Sequence, residues 1–503
     1  MLLQLGVSVM NNYTPFLSKS RFIKGMQCHK ALWFQTHRPD LKLETPQDLQ
    51  AIFDTGHEIG ILAQQLYPGG VEVPFDGVLL SEQIEQTRKL IESGADTIYE
   101  AAFSHDNIFI KADILHRTAE GWKLGEVKSA TKAKEVYIND AAVQYHVITG
   151  CGVTISSVGL VLIDTRYVRN GQVEPYKLFK WVDVTNEVLL RQESIKAEAE
   201  NQRSMLCAPE PTIDIGPHCS KPYECDYAHH CWKHIPSPSV FDFVDLGKPD
   251  PFKLYRQGII KMEDVLPTSL KWRQQLQLDG VMCKNQVVDK NAVQDFLDEL
   301  WYPLAFLDFE TTYMTPIPLF DGTRPYQQVP FQFSLHWQNE PDGELFHFEF
   351  LAPAGDDPRE SFLEALLDAM PHNACVLAWN SAFEAKIMGL LARSFPQYRD
   401  QLSAIIDNMI DLMSPYRSKN IYHWQFNGSY SLKAVLPALV PELTYESLAI
   451  NNGSMASEAW LKMRKSDDND EMGKLKLGLL EYCHLDTLAM VEILDKMRAM
   501  TTD

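Results

Sequence analysis

The run LAFLDFETT carries Asp308 and Glu310 two positions apart, a spacing that places both carboxylates on one face of a strand. Paired acids on a strand suit hard divalent cations such as Mg²⁺ or Mn²⁺, which take oxygen ligands. The apolar neighbours Leu304, Phe306, Leu307 and Phe309 argue for an interior strand rather than a solvated edge. A second acidic pattern lies in NIFIKADILHRTAEGWKLGEVKSATKAK, where two β-like runs flank a turn at Thr118-Ala119-Glu120-Gly121. A hairpin centred between Ala119 and Glu120 sets Asp113 opposite Glu126, with Lys128 on the face of Glu126. Opposed acids repel, and a bound cation or a neighbouring lysine removes that penalty. A third pattern is softer: HCSKPYECDYAHHCW spaces Cys219, Cys225 and Cys231 with five residues in each gap, and Cys28 is the only early cysteine. Four thiolates are the usual iron–sulfur ligand set. Zinc is the rival, because His218, His229, His230 and His234 lie nearby.

The elements that must position these groups follow from the rest of the chain. Its 503 residues, 45% hydrophobic, predict two to four domains with a sizeable core. Forty-six basic against 67 acidic residues, a net charge of −21, exclude a histone-like surface and confine any phosphate groove to local patches. Candidates for that groove are the run Lys128 to Lys134 with Lys19, Arg21, Lys24 and Lys30. The most apolar stretch, Ala141 to Ile163, is broken by Gln144, His146, Thr149 and Ser156, so no membrane span is expected. Met1 to Met10 lacks the positive region of a secretory signal, and cytoplasm is the expected location. Nine cysteines do not make a disulfide scaffold; Cys151, Cys207, Cys283, Cys375 and Cys483 read as small buried hydrophobes. A proline-rich seam runs from Ile235 to Asp250, and Phe252 to Leu300 has a helical pattern in LYRQGIIKMEDVL, SLKWRQQLQL and AVQDFLDEL. The predicted regions are 1–235, a helical connector over 236–300, and 301–503, of α/β or α+β class. VLAWNSAFEAKIM predicts a strand then a helix, with Asn380, Phe383 and Glu384 at the junction. KLGLLEYCHLDTLAMVEIL predicts a helix with Leu480, Cys483, Thr487, Val491 and Leu494 inward, and Tyr482 one turn from Asp486.

Asp308-x-Glu310, Asn380-x-x-Phe383-Glu384 and Tyr482-x-x-x-Asp486 resemble the three motifs of DEDD 3′–5′ exonucleases of the tyrosine subclass. The resemblance implies a ribonuclease H-like fold, two metal ions on Asp308, Glu310, Glu384 and Asp486, and a water-orienting role for Tyr482. It departs at Glu384, where the family has aspartate, and His484 is not the base of the histidine subclass. Arg324, Tyr326 and Gln327 in GTRPYQQVPFQFSLHW are candidates for phosphate contact and base stacking, against the plainer reading of a loop entering a strand. Asp411 and SYSLKAVLPAL resemble the middle of the same fold and are assigned no chemistry.

Asp113 … Glu126-x-Lys128 resembles the PD-(D/E)XK nuclease core of the RecB-like and CRISPR-associated subgroup. That resemblance implies metal binding by His57, Asp113 and Glu126, charge stabilisation by Lys128, a catalytic Gln144 with Tyr145 as a weaker candidate, and a [4Fe–4S] cluster on Cys28, Cys219, Cys225 and Cys231. The order of the units and the phrases GTRPYQ and PYEC resemble one uncharacterised bacterial family joining such a nuclease to an exonuclease-like domain. The expectation is a nuclease with two active sites, on DNA more than RNA. The alternative is a nucleic-acid-binding protein with one or both sites inactive and a structural or redox cluster.

Overall fold

The structure, a computed structural model, describes residues 16–43, 47–245, 247, 249–313, 315–353 and 355–502, with the side chains of 47–54 excluded. The reading of Met1 to Met10 lies outside the described residues. The protein is of mixed α/β class and divides into two compact units, Met1–His234 and Ile235–Asp503. Among the described residues no helix is long and apolar enough to cross a membrane.

The first unit runs β1 (Leu17–Ser18), α1 (Lys19–Gln27), α2 (His29–His37), α3 (Gln47–Gln64), β2 (Val71–Glu72), α4 (Leu80–Glu92), β3 (Thr97–His105), β4 (Ile108–Thr118) and β5 (Gly121–Lys128). It continues with α5 (Glu135–Gly150), β6 (Ile155–Ile163), α6 (Pro175–Leu178), β7 (Phe179–Asp183), α7 (Thr185–Leu190), α8 (Gln192–Leu206) and α9 (Ala228–Cys231). The sheet order is β2-β3-β4-β5-β6-β7, with β1 also on β4. Ala141, Ala142, Val143, Val147 and Ile148 of α5 share a core with Ile110, Leu115, Leu124, Leu160 and Leu162 of the sheet. The β4–β5 hairpin turns on Ala119 and Glu120 and pairs Thr118 with Gly121 up to Ile114 with Gly125. Beyond that pair β4 changes neighbour, since Ile108 and Phe109 pair with Leu17 and Ser18 of β1 while β5 stays on β6. Asp113 and Glu126 are the next residues after the last pair, and the split between the strands opens there.

Gly159 in β6 lies under the Trp181 indole; an added Cβ would sit 2.0 Å from the ring. A rigid indole cannot yield as a flexible chain can, so Gly159→Ala is expected to destabilise the first unit by about 1–3 kcal/mol. Chemical denaturation checks this, and an unchanged midpoint refutes the packing argument.

The second unit runs α10 (Pro251–Arg256), α11 (Trp272–Cys283), β8 (Gln286–Val288), α12 (Lys290–Asp298), β9 (Leu304–Thr311), β10 (Pro330–Gln338), β11 (Leu345–Leu351), α13 (Arg359–Ala369) and β12 (Cys375–Ala378). After these come α14 (Ala382–Ser394), α15 (Arg399–Asp407), β13 (Met409–Asp411), α16 (Ser414–Arg417), β14 (Ile421–His423), α17 (Leu432–Leu439), α18 (Gly453–Met463) and α19 (Asn469–Thr502). Its main sheet has the order β11-β10-β9-β12-β13; β10 and β11 are antiparallel neighbours, whereas β9, β12 and β13 run parallel. Strand alternation is clean in β9. Leu304 and Phe306 join the core that includes Leu479, Leu485 and Met490 of α19, while Ala305, Leu307 and Phe309 join the core of α13 and α14. Asp308 and Glu310 continue the α19 face past the last apolar residue.

The stretch 236–300 packs within the second unit rather than standing apart: Val293 and Phe296 of α12 lie in the same core as Leu304. LYRQGIIKMEDVL is not one helix. α10 stops at Arg256, Gly258 turns at φ +82°, and only a short 3₁₀ turn forms over Met262–Asp264. Cys151, Cys207 and Cys283 are exposed, contrary to the expectation of burial, because each lies at or just past a helix end; Cys375 and Cys483 are buried as expected. On α19 Leu480 is only half-buried and Leu479 takes the inward place.

Candidate functional site

In the second unit the C-terminal ends of β9 and β12 face the middle of α19 and the N-terminal end of α14 across a cavity of about 460 Å³. Asp308, Glu310, Glu384, Tyr482, Asp486, Asn380 and Phe383 all line it. Carboxylate oxygens of Asp308, Glu310 and Asp486 lie within 4.8 Å of one another. Glu384 reaches the same cavity from the first turn of α14, is 2% exposed, and its Oε2 is buried with no hydrogen-bond partner. Burial pushes Glu384 up to about 8 and Asp486 up to about 6. Burial and then the Asp486 charge raise Asp308 and Glu310 well above the usual carboxylate range. Four acids held this way repel unless cations or protons lie among them.

The supporting contacts are specific. Asn380 adopts φ +74° at the β12–α14 turn, and its backbone N–H donates to Asp411 Oδ1 at 3.0 Å. Asp411 also pairs with Arg417 at 3.0 Å, so it fixes the turn that aims Glu384. Tyr445 donates its hydroxyl to Asp486 Oδ1 at 2.6 Å, and Tyr482 lines the cavity beside the same carboxylate. Burial and the nearby Asp486 charge hold the Tyr482 phenol protonated across the physiological range. Lys433, held by the Asn451 carbonyl, is the cation felt by Asp486, Glu310 and Asp308. Its Nζ lies 5.1 Å from the Tyr482 ring centre.

Sequence reasoning assigns no role to Lys433 or Tyr445 and only core filling to Cys483. Lys433 left a faint signal as the lone charge in the apolar helix LKAVLPAL. Cys483 points its thiol at Asp308 Oδ2, 3.9 Å away, so it borders the acids as well as filling core. Arg324, Tyr326 and Gln327 do not line the cavity; their neighbour Gln328 does, while the Gln327 side chain accepts from the Arg324 backbone.

The first unit places Asp113, Glu126, Lys128, His57, Lys19 and Glu100 around a cavity of about 200 Å³ at the strand split. The backbone N–H of Val127 donates to Asp113 Oδ2 at 2.7 Å, satisfying a donor that the split leaves free. Lys19 and Lys128 both contact Glu126 Oε1, at 2.8 and 2.7 Å, and Lys128 also pairs with Asp140 at 2.7 Å. Gln144 is fully buried, donates to Glu126 Oε2, and leaves its own Oε1 without a partner. Burial would push Glu126 up, but Lys128 and Lys19 outweigh it and hold the carboxyl down. Burial and the Glu126 charge instead raise Asp113. His57 borders the cavity as an exposed side chain. It does not join Asp113 and Glu126 in a tight ligand trio within 4.8 Å. Tyr145 is not among the residues lining this cavity.

Cys28, Cys219, Cys225 and Cys231 surround a second, small cavity with Phe34 and Tyr227, and all four are free thiols. Burial and the neighbouring thiols raise Cys225 to about 11, and burial raises Cys28 and Cys231. No three of these sulfurs lie within 4.8 Å of one another, so they ring a space rather than converge on a point. Around α1 the basic side chains that are candidates for a phosphate groove already have partners. Lys19 sits on Glu126, Lys24 on Asp226, Lys30 on Glu210 at 3.0 Å, and Arg21 on Thr36. These pairs fasten the first two helices instead.

The family described as "Domain of unknown function (DUF2779)" matches residues 305–431, which include Asp308, Glu310 and Glu384 but stop short of Tyr482 and Asp486. No curated protein matches the chain.

Proposed function

We propose that the protein is a metal-dependent nuclease whose second unit removes nucleotides from a 3′ end, and whose first unit is a RecB-like PD-(D/E)XK nuclease site. The observation that carries this reading is the gathering of Asp308, Glu310, Glu384 and Asp486 with Tyr482 around one cavity. The raised carboxyls and the unpartnered Glu384 oxygen fit an acceptor set made for cations. A ribonuclease H-like assignment of the mixed sheet and a bacterial two-nuclease family belong to the same reading. The extra methylene of Glu384 is accommodated, since its carboxyl already reaches the cavity.

Divalent ions held there would supply Lewis-acid stabilisation of the charge that develops during phosphodiester hydrolysis. Asp308, Glu310, Glu384 and Asp486 would hold them. Tyr445 fixes the Asp486 carboxylate, and the Tyr482 phenol orients water rather than removing its proton. Lys433 reduces the negative charge that an incoming phosphodiester meets. DNA is the preferred substrate class over RNA in this reading.

Four thiolates around one small cavity are the usual iron–sulfur ligand set, and by resemblance a [4Fe–4S] cluster is the proposed occupant, with zinc the rival. One observation favours a second reading for the first unit, a grip on nucleic acid without cleavage: both lysines sit on Glu126 Oε1, crowding the oxygen a metal would use.

The deciding experiment is anaerobic purification of the full chain followed by digestion of 3′- and 5′-labelled single- and double-stranded DNA and RNA with Mg²⁺ or Mn²⁺. Stepwise shortening from the 3′ end and a brown, iron-containing preparation are expected. Absence of metal-dependent cleavage on every substrate overturns the nuclease reading.

A further inference from the structure

His336 of β10, His347 of β11 and His484 of α19 bring ring nitrogens within 4.8 Å of one another, outside the acidic cavity. His336 and His347 are a directly opposed cross-strand pair, with ring centres 4.2 Å apart. His484 closes over them from the helix, 5.0 Å from one ring and 4.4 Å from the other. We propose that these three imidazoles form a binding site for one divalent ion of the zinc class, with a fourth position open to solvent beside His347.

Three observations carry this. His347 Nε2 and His484 Nδ1 face each other at 3.3 Å, which is about the edge of a tetrahedron built on Zn–N bonds of roughly 2.0–2.1 Å. Among the described residues no carboxylate pairs with any of the three rings, so a salt bridge does not account for the gathering. His336 is also steered from behind by a fully buried hydroxyl. Thr487 Oγ1 lies 2.8 Å from His336 Nδ1, leaving its Nε2 free to ligate, and Ser334 Oγ braces Thr487 Oγ1 at 2.6 Å; Ser334 Oγ also lies 3.0 Å from His347 Nε2, a contact that an ion on that nitrogen would replace. An outer hydroxyl contact like that on His336 sets ring orientation at histidine metal sites. Burial and the neighbouring rings keep His336 and His347 neutral, the form that binds metal.

Imidazole ligands select zinc-like ions, whereas the carboxylates nearby select magnesium-like ones. The site is therefore chemically separable from the acidic cavity, and the proposal does not depend on the nuclease reading. An ion here would tie β10 and β11 to the helix that carries Tyr482 and Asp486.

The test titrates chelator-stripped full chain with Zn²⁺ against a chromophoric competitor, in excess Mg²⁺ to fill carboxylates. The wild type is expected to take up one more tight zinc equivalent than His347→Ala or His484→Ala, and Asp308→Asn and Cys225→Ser should both retain it. Equal uptake by wild type and His347→Ala overturns the proposal, as does loss of the equivalent in Asp308→Asn alone. His347→Asn guards against a folding artefact, and Co²⁺ loading of the wild type gives an independent readout. Nitrogen-ligated tetrahedral Co²⁺ bands that persist in Cys225→Ser support the site, and their absence refutes it.

Discussion

Asp308→Asn is expected to abolish metal-dependent shortening from the 3′ end, lowering kcat/KM by about 10³-fold or more. Metal stabilisation of the transition state supplies several kcal/mol, and each 1.36 kcal/mol is a factor of ten. Single-turnover assays with saturating Mn²⁺ check it; activity within tenfold of wild type would refute the assigned role. The same substitution should stabilise the metal-free protein. Glu384 and Asp486 stand at about 8 and 6 in the fold, against ordinary values of 4.5 and 3.8. A group raised on folding contributes stability that is complete below its ordinary value and is lost as pH rises through the folded one. In EDTA the wild type should therefore lose stability between about pH 4 and pH 8, and Mg²⁺ should restore it. Asparagine at 308 removes one of the repelling charges, so the slope flattens and Tm at pH 8 rises by about 2–4 °C per kcal/mol released. Melting curves across that range decide the matter, and a flat wild-type profile in EDTA would contradict it.

Lys128→Ala is expected to remove cleavage by the first unit, by about 10²–10³-fold, while leaving 3′ shortening by the second unit intact. Lys128 bridges Glu126 and Asp140 at 2.7 Å each, and Glu126 is 1% exposed. Truncation leaves that carboxylate with Lys19 as its remaining cation beside the neutral Gln144 amide and lowers stability by about 1–3 kcal/mol, because a buried charge has lost part of its compensation. Lys128→Arg separates the two effects: it retains the charge and should recover stability more fully than cleavage. Internal cuts in circular single-stranded DNA provide the readout. If no such cutting exists in the wild type, while the first unit still binds DNA, the gripping role replaces the catalytic one.

The legible parts of both sites were set by local geometry. Alternation in β9 placed Asp308 and Glu310 on one face, and a two-residue turn fixed the register that leads to Asp113 and Glu126. Helical spacing paired Tyr482 with Asp486. What escaped is the contact made across long separations. Lys19 meets Glu126 over 107 residues because a two-residue strand inserts beside β4, a feature too short to leave a pattern. Tyr445 meets Asp486 from a connection without periodicity. The three histidines lie on two strands and a helix, and only the strand register and the α19 packing bring them together. The broken helix after Arg256 shows the reverse error, where apolar spacing suggested continuity and Gly258 ended it.

α1 is nine residues long, about 13 Å, and runs from the Asp113–Glu126 pocket to the cysteine ring. Lys19 at its start holds Glu126, while Cys28 caps its other end, and Gln27 Nε2 donates to the carbonyls of His218 and Tyr223 beside the remaining cysteines. Trimming the chain past Phe16 would thus strip both pockets together, so their roles must be dissected by point substitution and never by truncation.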